Sequence, residues 1–137
     1  MFNKSLLCKT ANHFARTMTR REAFKAAWKL IKGNAIGKVA GVTRGDRQAI
    51  IANLSHRDNV NIRLERERDN IFDSNAIAII AEEGGKSYKM GYIPARTALL
   101  IAPILDTGIS VKTALKAIVG GYFGMNYGLR VSMQIAG

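Results

Sequence analysis

The sequence predicts a small α+β domain in which β-strands dominate. Val60, Ile62 and Leu64 alternate with polar residues, which is the period of a half-buried strand. Residues 75–83 are instead apolar at successive positions, which is typical of a central strand covered on both faces. A Gly-Gly pair follows this run and predicts a hairpin turn into the next strand.

The remaining elements follow from the same periodicities. We expect strands at 38–43, 59–66, 75–83, 87–94, 111–121 and 128–136, and helices at 47–54 and 95–108. Closing a sheet on itself removes its unpaired edges. The predicted architecture is therefore a small six-stranded antiparallel β-barrel with two or three helices.

A helix is also predicted at about 19–33. Thr19 and Glu22 have the spacing of a capping box, and Gly33 is a natural end. One side is apolar and is expected to dock the helix on the domain; it carries Phe24, Ala27, Trp28 and Ile31. The opposite side carries more cations than solubility requires, namely Arg21, Lys25, Lys29 and Lys32.

The charge of the chain favours a polyanionic partner. The formal net charge is +11 and the pI is near 10.2. Eight Lys/Arg against the single acid Glu22 lie in residues 1–36, so most of the surplus is N-terminal. We expect a basic extension at 1–36 and a β-barrel domain at 37–137.

The N-terminal residues allow two interpretations. Residues 1–20 contain no acid and are rich in Lys/Arg, Ser/Thr and Asn, as mitochondrial presequences are. We favour the interpretation that these residues form a basic amphipathic lead-in to the domain. We expect the protein to be cytoplasmic or nucleoid-associated. The single cysteine, Cys8, cannot form an internal disulfide.

No catalytic or metal site is predicted. His13 and His56 lack ligand-spaced partners, and no nucleophile elbow, P-loop or dinucleotide fingerprint occurs. The acids Glu65, Glu67, Asp69 and Asp73 are interleaved with arginines, which favours mutual neutralisation over cation binding. Glu65 and Glu67 are expected on a solvated strand face. We expect a non-enzymatic protein without a cofactor.

A Gly-rich segment at 120–128 carries the aromatic residues Tyr122, Phe123 and Tyr127. They could stack on nucleic-acid bases or pack over the mouth of a barrel, and the sequence leaves both interpretations open.

Four segments, in order, resemble the HIRAN domain family. They are VAGVTRGDRQAIIANL, NIRLERERDNIFDSNAIAII, MGYIPARTALLIAPILDTG and LKAIVGG with GLRVSM, and they extend from about Lys38 to Ile135. The family's usual pattern is V-x-G-V, then R-x-P-x-N-P-Y-D-x-N-A-I-x-V, then G-Y-I/L-P and a helix. The matches at FDSNAI and GYIP are the most specific.

The resemblance implies an OB-like barrel that binds DNA, especially single strands and free 3′ ends. HIRAN domains occur in helicase-like DNA-repair proteins and as small stand-alone proteins, and this chain resembles the stand-alone type with an added basic helix. Asn70, Phe72 and Asp73 occupy polar and aromatic positions of the family motif. Together with Tyr92 they would hold the end of a DNA strand. Arg44, Arg66 and Arg68 would contact phosphates.

Asp73 and Asn75 also have a structural interpretation. Asx side chains commonly hydrogen-bond backbone N–H groups in turns. We favour that role for Asn75 and leave both roles open for Asp73.

The chain departs from the family pattern in the predicted pocket. Ile71 and Phe72 replace the motif's Pro and Tyr, and Thr43-Arg44 stands where DNA-end-binding members have Arg-Tyr. One aromatic wall is therefore missing, which puts 3′-end selectivity in question.

Two other classes of function are alternatives. A protein-interaction or inhibitory module, of the kind mobile elements and phages encode, would use the Trp28 helix and the charged loop. A membrane-surface role for residues 1–33 is the third hypothesis. We expect no membrane partner, because the apolar face of the helix is needed for docking.

Overall fold

The structure is a computed structural model that describes residues 4–16, 18–33, 35–57 and 60–136. Residues 1–3 and Thr17, which belong to the predicted lead-in, lie outside the described residues. Within the described ranges the chain forms four helices and six strands. They are α1 (Lys4–Phe14), α2 (Arg20–Lys32), β1 (Ala35–Lys38), α3 (Arg47–Leu54), β2 (Asn61–Arg66), β3 (Ile77–Glu83), β4 (Lys86–Tyr92), α4 (Ala95–Asp106), β5 (Ser110–Gly120) and β6 (Tyr127–Ala136).

The six strands form one antiparallel sheet in the order β1-β6-β5-β2-β3-β4. The predicted β-rich α+β fold is confirmed, but full closure into a barrel is wrong. Among the described residues, the two edges of the sheet meet at one bridge, just beyond the end of β1, where the backbones of Ala40 and Tyr92 exchange two hydrogen bonds of 2.8 Å. The sheet curls until its edges touch without forming a continuous ladder between them.

The first strand lies earlier than predicted. Strand β1 covers Ala35–Lys38 instead of 38–43, and Val39 adds one backbone hydrogen bond to Leu129. Gly41 then turns the chain with a positive φ of 71°, so residues 41–46 form a loop instead of more strand. The other five strands are confirmed, apart from Asn59 at the start of the predicted strand 59–66, which lies outside the described residues.

The alternation of β5 breaks at a bulge. Leu115 pairs with Val131 but Ala117 pairs with Arg130, so one extra residue, Lys116, is inserted into the strand. The bulge therefore interrupts the regular alternation expected over the predicted strand at 111–121. In β6 the predicted alternation holds, with Leu129, Val131, Met133 and Ile135 buried.

Helix α2 begins and ends as predicted, but its buried face differs. Thr19 Oγ1 accepts a hydrogen bond from the Glu22 N–H at 3.2 Å, and Gly33 ends the helix with φ 77°. Its buried residues are Ala23, Ala27 and Leu30, whereas Phe24 and Trp28 are 39% and 38% exposed. The fully buried face of the helix is therefore made of two alanines and Leu30, and the two aromatic side chains stay partly exposed beside it.

Helix α1 was not predicted, and it contributes to the core. Ala11 and Phe14 are buried in the same apolar cluster as Leu30 of α2, Ile101 of α4 and Val131 of β6. The division into an extension at 1–36 and a domain at 37–137 stays a prediction.

Candidate nucleic-acid interface

The polar loop between β2 and β3 folds on its own Asx side chains. Asn70 Oδ1 accepts hydrogen bonds from the Phe72 N–H at 2.9 Å and the Asp73 N–H at 3.1 Å. Asp73 Oδ1 accepts one from the Asn75 N–H at 2.9 Å. Asn70 and Asp73 thus shape the loop, and Asn75 is held through its backbone.

This turn presents apolar side chains to solvent. Ile71 is 89% exposed and Phe72 is 87% exposed. The predicted stacking face of Phe72 is therefore accessible. Asp73 Oδ2 has no hydrogen-bond partner among the described residues, so that oxygen is available to accept a hydrogen bond.

Two of the predicted phosphate contacts anchor this loop to helix α4. The Arg66 guanidinium forms a bidentate pair with Asp106 at 3.0 Å and also donates to the carbonyls of Ser74 and Ala76. Arg68 donates to the same carboxylate at 3.0 Å and stays 68% exposed. The hydrogen bond from Arg66 is the largest cause that lowers the pKa of Asp106. All the nitrogens of Arg66 are engaged, which suits a positioning role, whereas Arg68 can still reach a ligand.

A second cluster lies on the other flank of the loop. Glu67 accepts hydrogen bonds from Lys89 at 2.6 Å, from the Tyr92 hydroxyl at 2.9 Å and from Asn70 at 3.1 Å. Its side chain is only 19% exposed. The expectation of a solvated strand face is therefore wrong for Glu67, because β2 ends at Arg66 and the chain turns inward.

The electrostatics of this cluster keep both ions charged. Partial burial raises the pKa of the Glu67 carboxyl, but the hydrogen bonds from Lys89, Asn70 and Tyr92 outweigh burial and lower that pKa below its usual value. The hydrogen bond to Glu67 raises the pKa of Lys89.

Tyr92 connects this cluster to helix α3. The Arg47 guanidinium lies 5.4 Å from the centre of the Tyr92 ring, and Lys89 Nζ lies 5.3 Å from it. Arg47 also donates to the Gly41 carbonyl at 2.7 Å, which fixes the loop that carries Arg44. Arg47 and Lys89 thus both contact the ring of Tyr92.

These cations line one open groove of about 390 Å³ between the 41–46 loop, α3 and β4. We call it the basic groove; its lining residues are Arg44, Gly45, Asp46, Arg47, Ile50, Ser87, Tyr88 and Lys89. Of the predicted residues, Arg44 lines the groove, and Tyr92 adjoins it through its contacts with Arg47 and Lys89. Lys89 also binds Glu67, which accepts a hydrogen bond from Asn70 and so connects the groove to the polar loop.

The basic side of α2 is a separate surface. Helix α2 packs on α1, β1 and β6, whereas the basic groove is built on α3 and β4. Arg21, Lys25, Lys29 and Lys32 are exposed, Lys32 lies 4.6 Å from the Trp28 ring, and Lys29 lines another groove beside Lys38.

Sequence reasoning did not single out Arg47, Lys89 or Asp106. Each is an ordinary charged residue of a predicted helix or strand, and only the tertiary contacts bring them together. The spacing of Lys89 and Tyr92 gave no signal, because residues three apart on a regular strand point to opposite faces. The register shift that skips Met90 lets Lys89 reach the Tyr92 hydroxyl.

No group of His, Cys, Asp and Glu side chains able to hold a metal ion occurs within the described ranges. None of the helices in that part of the chain is long and apolar enough to cross a membrane.

A protein-family model matches more than half of the chain. It is the model of the HIRAN domain, and it covers residues 32–121. The chain belongs to the HIRAN domain family. HIRAN domains bind DNA, and the matched residues include the polar loop, the basic groove and strands β1–β5.

A similar fold occurs in a solved structure. A crystal structure of a protein from Lactobacillus plantarum is similar with a TM-score of 0.52 and 21% sequence identity, over 72% of this chain and 91% of that one. This likeness concerns the fold. No curated protein matches the sequence.

Proposed function

We propose that this HIRAN domain is a non-enzymatic module that binds single-stranded DNA at the basic groove and the adjoining polar loop. The observation that carries the proposal is the convergence of Arg44, Arg47 and Lys89 on one open groove in a member of a DNA-binding family. Asp46 is the single acid among the lining residues, so the groove has a net positive charge. Such a groove attracts the phosphates of a polyanion.

The exposed aromatic side chain of the loop favours single strands over duplex. Phe72 presents an accessible face, and stacking of a base on an aromatic ring contributes roughly 1–3 kcal/mol. In duplex DNA the faces of the bases are covered by their neighbours, so this contact needs an unpaired base.

Recognition of a 3′ end would use the carboxylate of Asp73. Its free Oδ2 can accept a hydrogen bond from a terminal 3′-hydroxyl, whereas a 3′-phosphate would be repelled. The Asx turn fixes this carboxylate beside Phe72.

The basic side of α2 would add phosphate contacts away from the groove. Its cations stand on a helix that is anchored in the core through Ala23, Ala27 and Leu30, so they form a fixed array. Nucleic-acid binding of this kind agrees with a nucleoid-associated location and a role in DNA repair or replication.

The test is fluorescence anisotropy with a labelled single strand, at several salt concentrations. We expect log Kd to rise with log salt by about 0.7 per phosphate contact, so Arg44→Ala should weaken binding and reduce this slope by about 0.7. Arg57→Ala is the matched control, because it removes one cation that is paired with Glu83 instead. Equal effects of the two substitutions would overturn the role of the groove.

End recognition is tested with the same strand carrying a 3′-hydroxyl or a 3′-phosphate. We expect tighter binding of the hydroxyl form, and Asp73→Asn should remove the difference while keeping the Asx turn. Equal binding of both forms by the wild-type protein would leave a general single-strand binder.

A second candidate is a protein-interaction module. Phe24 and Trp28 are about two-fifths exposed on α2 and could contact a partner protein. Absence of DNA binding at low salt would favour this function.

A further inference from the structure

The tip of the β5–β6 hairpin exposes two aromatic side chains. Phe123 is 95% exposed and Tyr122 is 60% exposed, and their rings form an edge-to-face pair with centroids 5.6 Å apart. The neighbouring Met125 is 58% exposed. Tyr122 and Phe123 thus do not pack over the sheet, whereas Tyr127 does and is partly buried.

The tip has a defined shape. The Met125 N–H donates to the Tyr122 carbonyl at 2.9 Å, which closes a tight turn. Phe123 has a φ of 51°, a conformation that costs a bulky residue energy and that Gly or Asn would adopt more easily. A large aromatic residue is therefore held at a strained position where it contacts almost nothing in the domain.

The base of the hairpin is fixed to the element that carries Arg47. Gln48 of α3 donates to the Tyr127 carbonyl at 3.0 Å and accepts from the Tyr127 N–H at 2.7 Å. Its amide also donates to the Val42 carbonyl at 2.9 Å, in the loop of Arg44. The hairpin and the basic groove are thus joined through one side chain.

The exposed face of the sheet next to the tip is basic. Lys38 of β1 lies directly opposite Arg130 of β6, and Arg130 is paired with Ala117 at the bulge that inserts Lys116. All three cations are exposed, and none of them forms an ion pair among the described residues. Like charges at opposite positions of neighbouring strands are destabilising.

The composition of the hairpin points to one class of ligand. From Ser110 to Ala136 the chain contains Lys112, Lys116 and Arg130 but no acid. A basic track that leads to exposed aromatic rings is the arrangement by which proteins hold the backbone and the bases of unpaired nucleic acid.

We propose that Lys38, Lys116 and Arg130, together with Tyr122 and Phe123, form a second nucleic-acid contact, the hairpin surface. It takes a further segment of a single strand, with phosphates on the cations and an unpaired base on Phe123. This deepens the proposed function, because the hairpin surface would set how long a strand the domain engages. Tyr122, Phe123 and Arg130 lie outside the residues that the family model matches.

The test compares a short strand with a long one, of about 4 and about 16 nucleotides. We expect Phe123→Ala, alone or with Tyr122→Ala, to weaken binding of the long strand about 5- to 100-fold and to leave binding of the short strand unchanged. Leu99→Ala is the matched control, since it removes an apolar side chain that is 46% exposed on α4. Because Phe123 contacts little, the variants should unfold at the wild-type temperature or above it.

Lys116→Ala with Arg130→Ala probes the backbone contacts of the same surface. We expect this double variant to lower the salt dependence of long-strand binding and to leave that of the short strand unchanged.

The outcomes separate the two sites. If the long strand binds the Phe123→Ala variant as tightly as the wild-type protein, the hairpin surface is overturned while the basic groove stands. If short-strand binding does not depend on Arg44 but long-strand binding depends on Phe123, the hairpin surface stands and the groove fails. Equal weakening of both strand lengths by Phe123→Ala would also overturn a separate second contact.

Discussion

Glu67 shows how a single residue organises the candidate site. Its carboxylate accepts hydrogen bonds from Lys89, Tyr92 and Asn70, and so connects strand β4 to the polar loop. The adjacent acid Glu65 has the same chemistry but is half exposed, with Arg63 3.9 Å away. The difference between the two acids comes from position alone.

We predict that Glu67→Gln lowers the free energy of unfolding by about 1–3 kcal/mol at neutral pH, because Lys89 loses its charged partner. The folded-state pKa of Glu67 is lowered, so its stabilising contribution is present above the unfolded-state pKa and is lost as pH falls through the folded-state pKa. Urea unfolding at neutral pH and in strong acid measures both effects.

In strong acid the wild-type protein and the Glu67→Gln variant should converge in stability, because the carboxyl is then protonated in both states. Glu65→Gln is the control and should change stability by less than about 0.5 kcal/mol at either pH. A Glu67→Gln deficit that stays constant with pH would contradict an ionic role.

The sequence pointed to the residues of the polar loop, but it did not show what each side chain does there. Asn70, Phe72, Asp73 and Arg66 were singled out because polar and aromatic residues crowd a short stretch. The anchoring role of Arg66 depends on Asp106, which is 40 residues away in the chain. Local pattern cannot supply a partner so distant in sequence.

Among the secondary-structure elements, α3 joins the two ends of the candidate interface. Arg47 faces the basic groove, and Gln48 holds the start of β6. A short helix of eight residues has little stability of its own, so these tertiary hydrogen bonds determine how it sits.

We predict that Gln48→Ala destabilises the protein by about 2 kcal/mol, since it removes three hydrogen bonds to backbone groups. Amide hydrogen exchange at Tyr127 should become faster, because that N–H loses its acceptor. Chemical denaturation and exchange measured by NMR check the two effects.

Gln134→Ala is the matched control for this substitution. Gln134 is exposed and donates one hydrogen bond, to the Ile31 carbonyl at 3.0 Å. Its loss should cost about 1 kcal/mol or less and leave exchange at Tyr127 unchanged. Equal losses of stability in the two variants would contradict the special role of Gln48.

At the scale of the whole molecule, the contact between the two sheet edges holds the basic groove in place. Ala40 and Tyr92 exchange two backbone hydrogen bonds there, next to the ring that orders Arg47 and Lys89. Gly91 permits the close approach, because a Cβ at this residue would lie 2.5 Å from the Ala40 oxygen and 2.6 Å from a methyl group of Val39.

We predict that Gly91→Ala destabilises the protein by about 3 kcal/mol or more, because backbone must move to accommodate the methyl group. Binding of single-stranded DNA should fall as well, since the Ala40–Tyr92 bridge positions the basic groove. Thermal unfolding and anisotropy measure the two losses.

Gly37→Ala on β1 serves as the control for Gly91→Ala. Its added Cβ would have only the tip of the flexible Met133 side chain within reach, at 3.9 Å, so stability should change by less than about 1 kcal/mol. A Gly91→Ala protein as stable as the Gly37→Ala protein would show that the edges do not need this close approach.

The sequence by itself determined the period-2 and period-3.6 segments, the basic charge and the family motif. Each of these features depends on residue identities and on spacings between residues that are close together in the chain. Five strands, the caps of α2 and the extent of α4 followed from local preferences. Only the tertiary structure decided that the sheet stays open with touching edges, that alanines instead of aromatic residues dock α2, and that Arg44, Arg47 and Lys89 share a groove. These features depend on packing and on hydrogen bonds between residues far apart in the chain, and such contacts leave no periodic trace in the sequence.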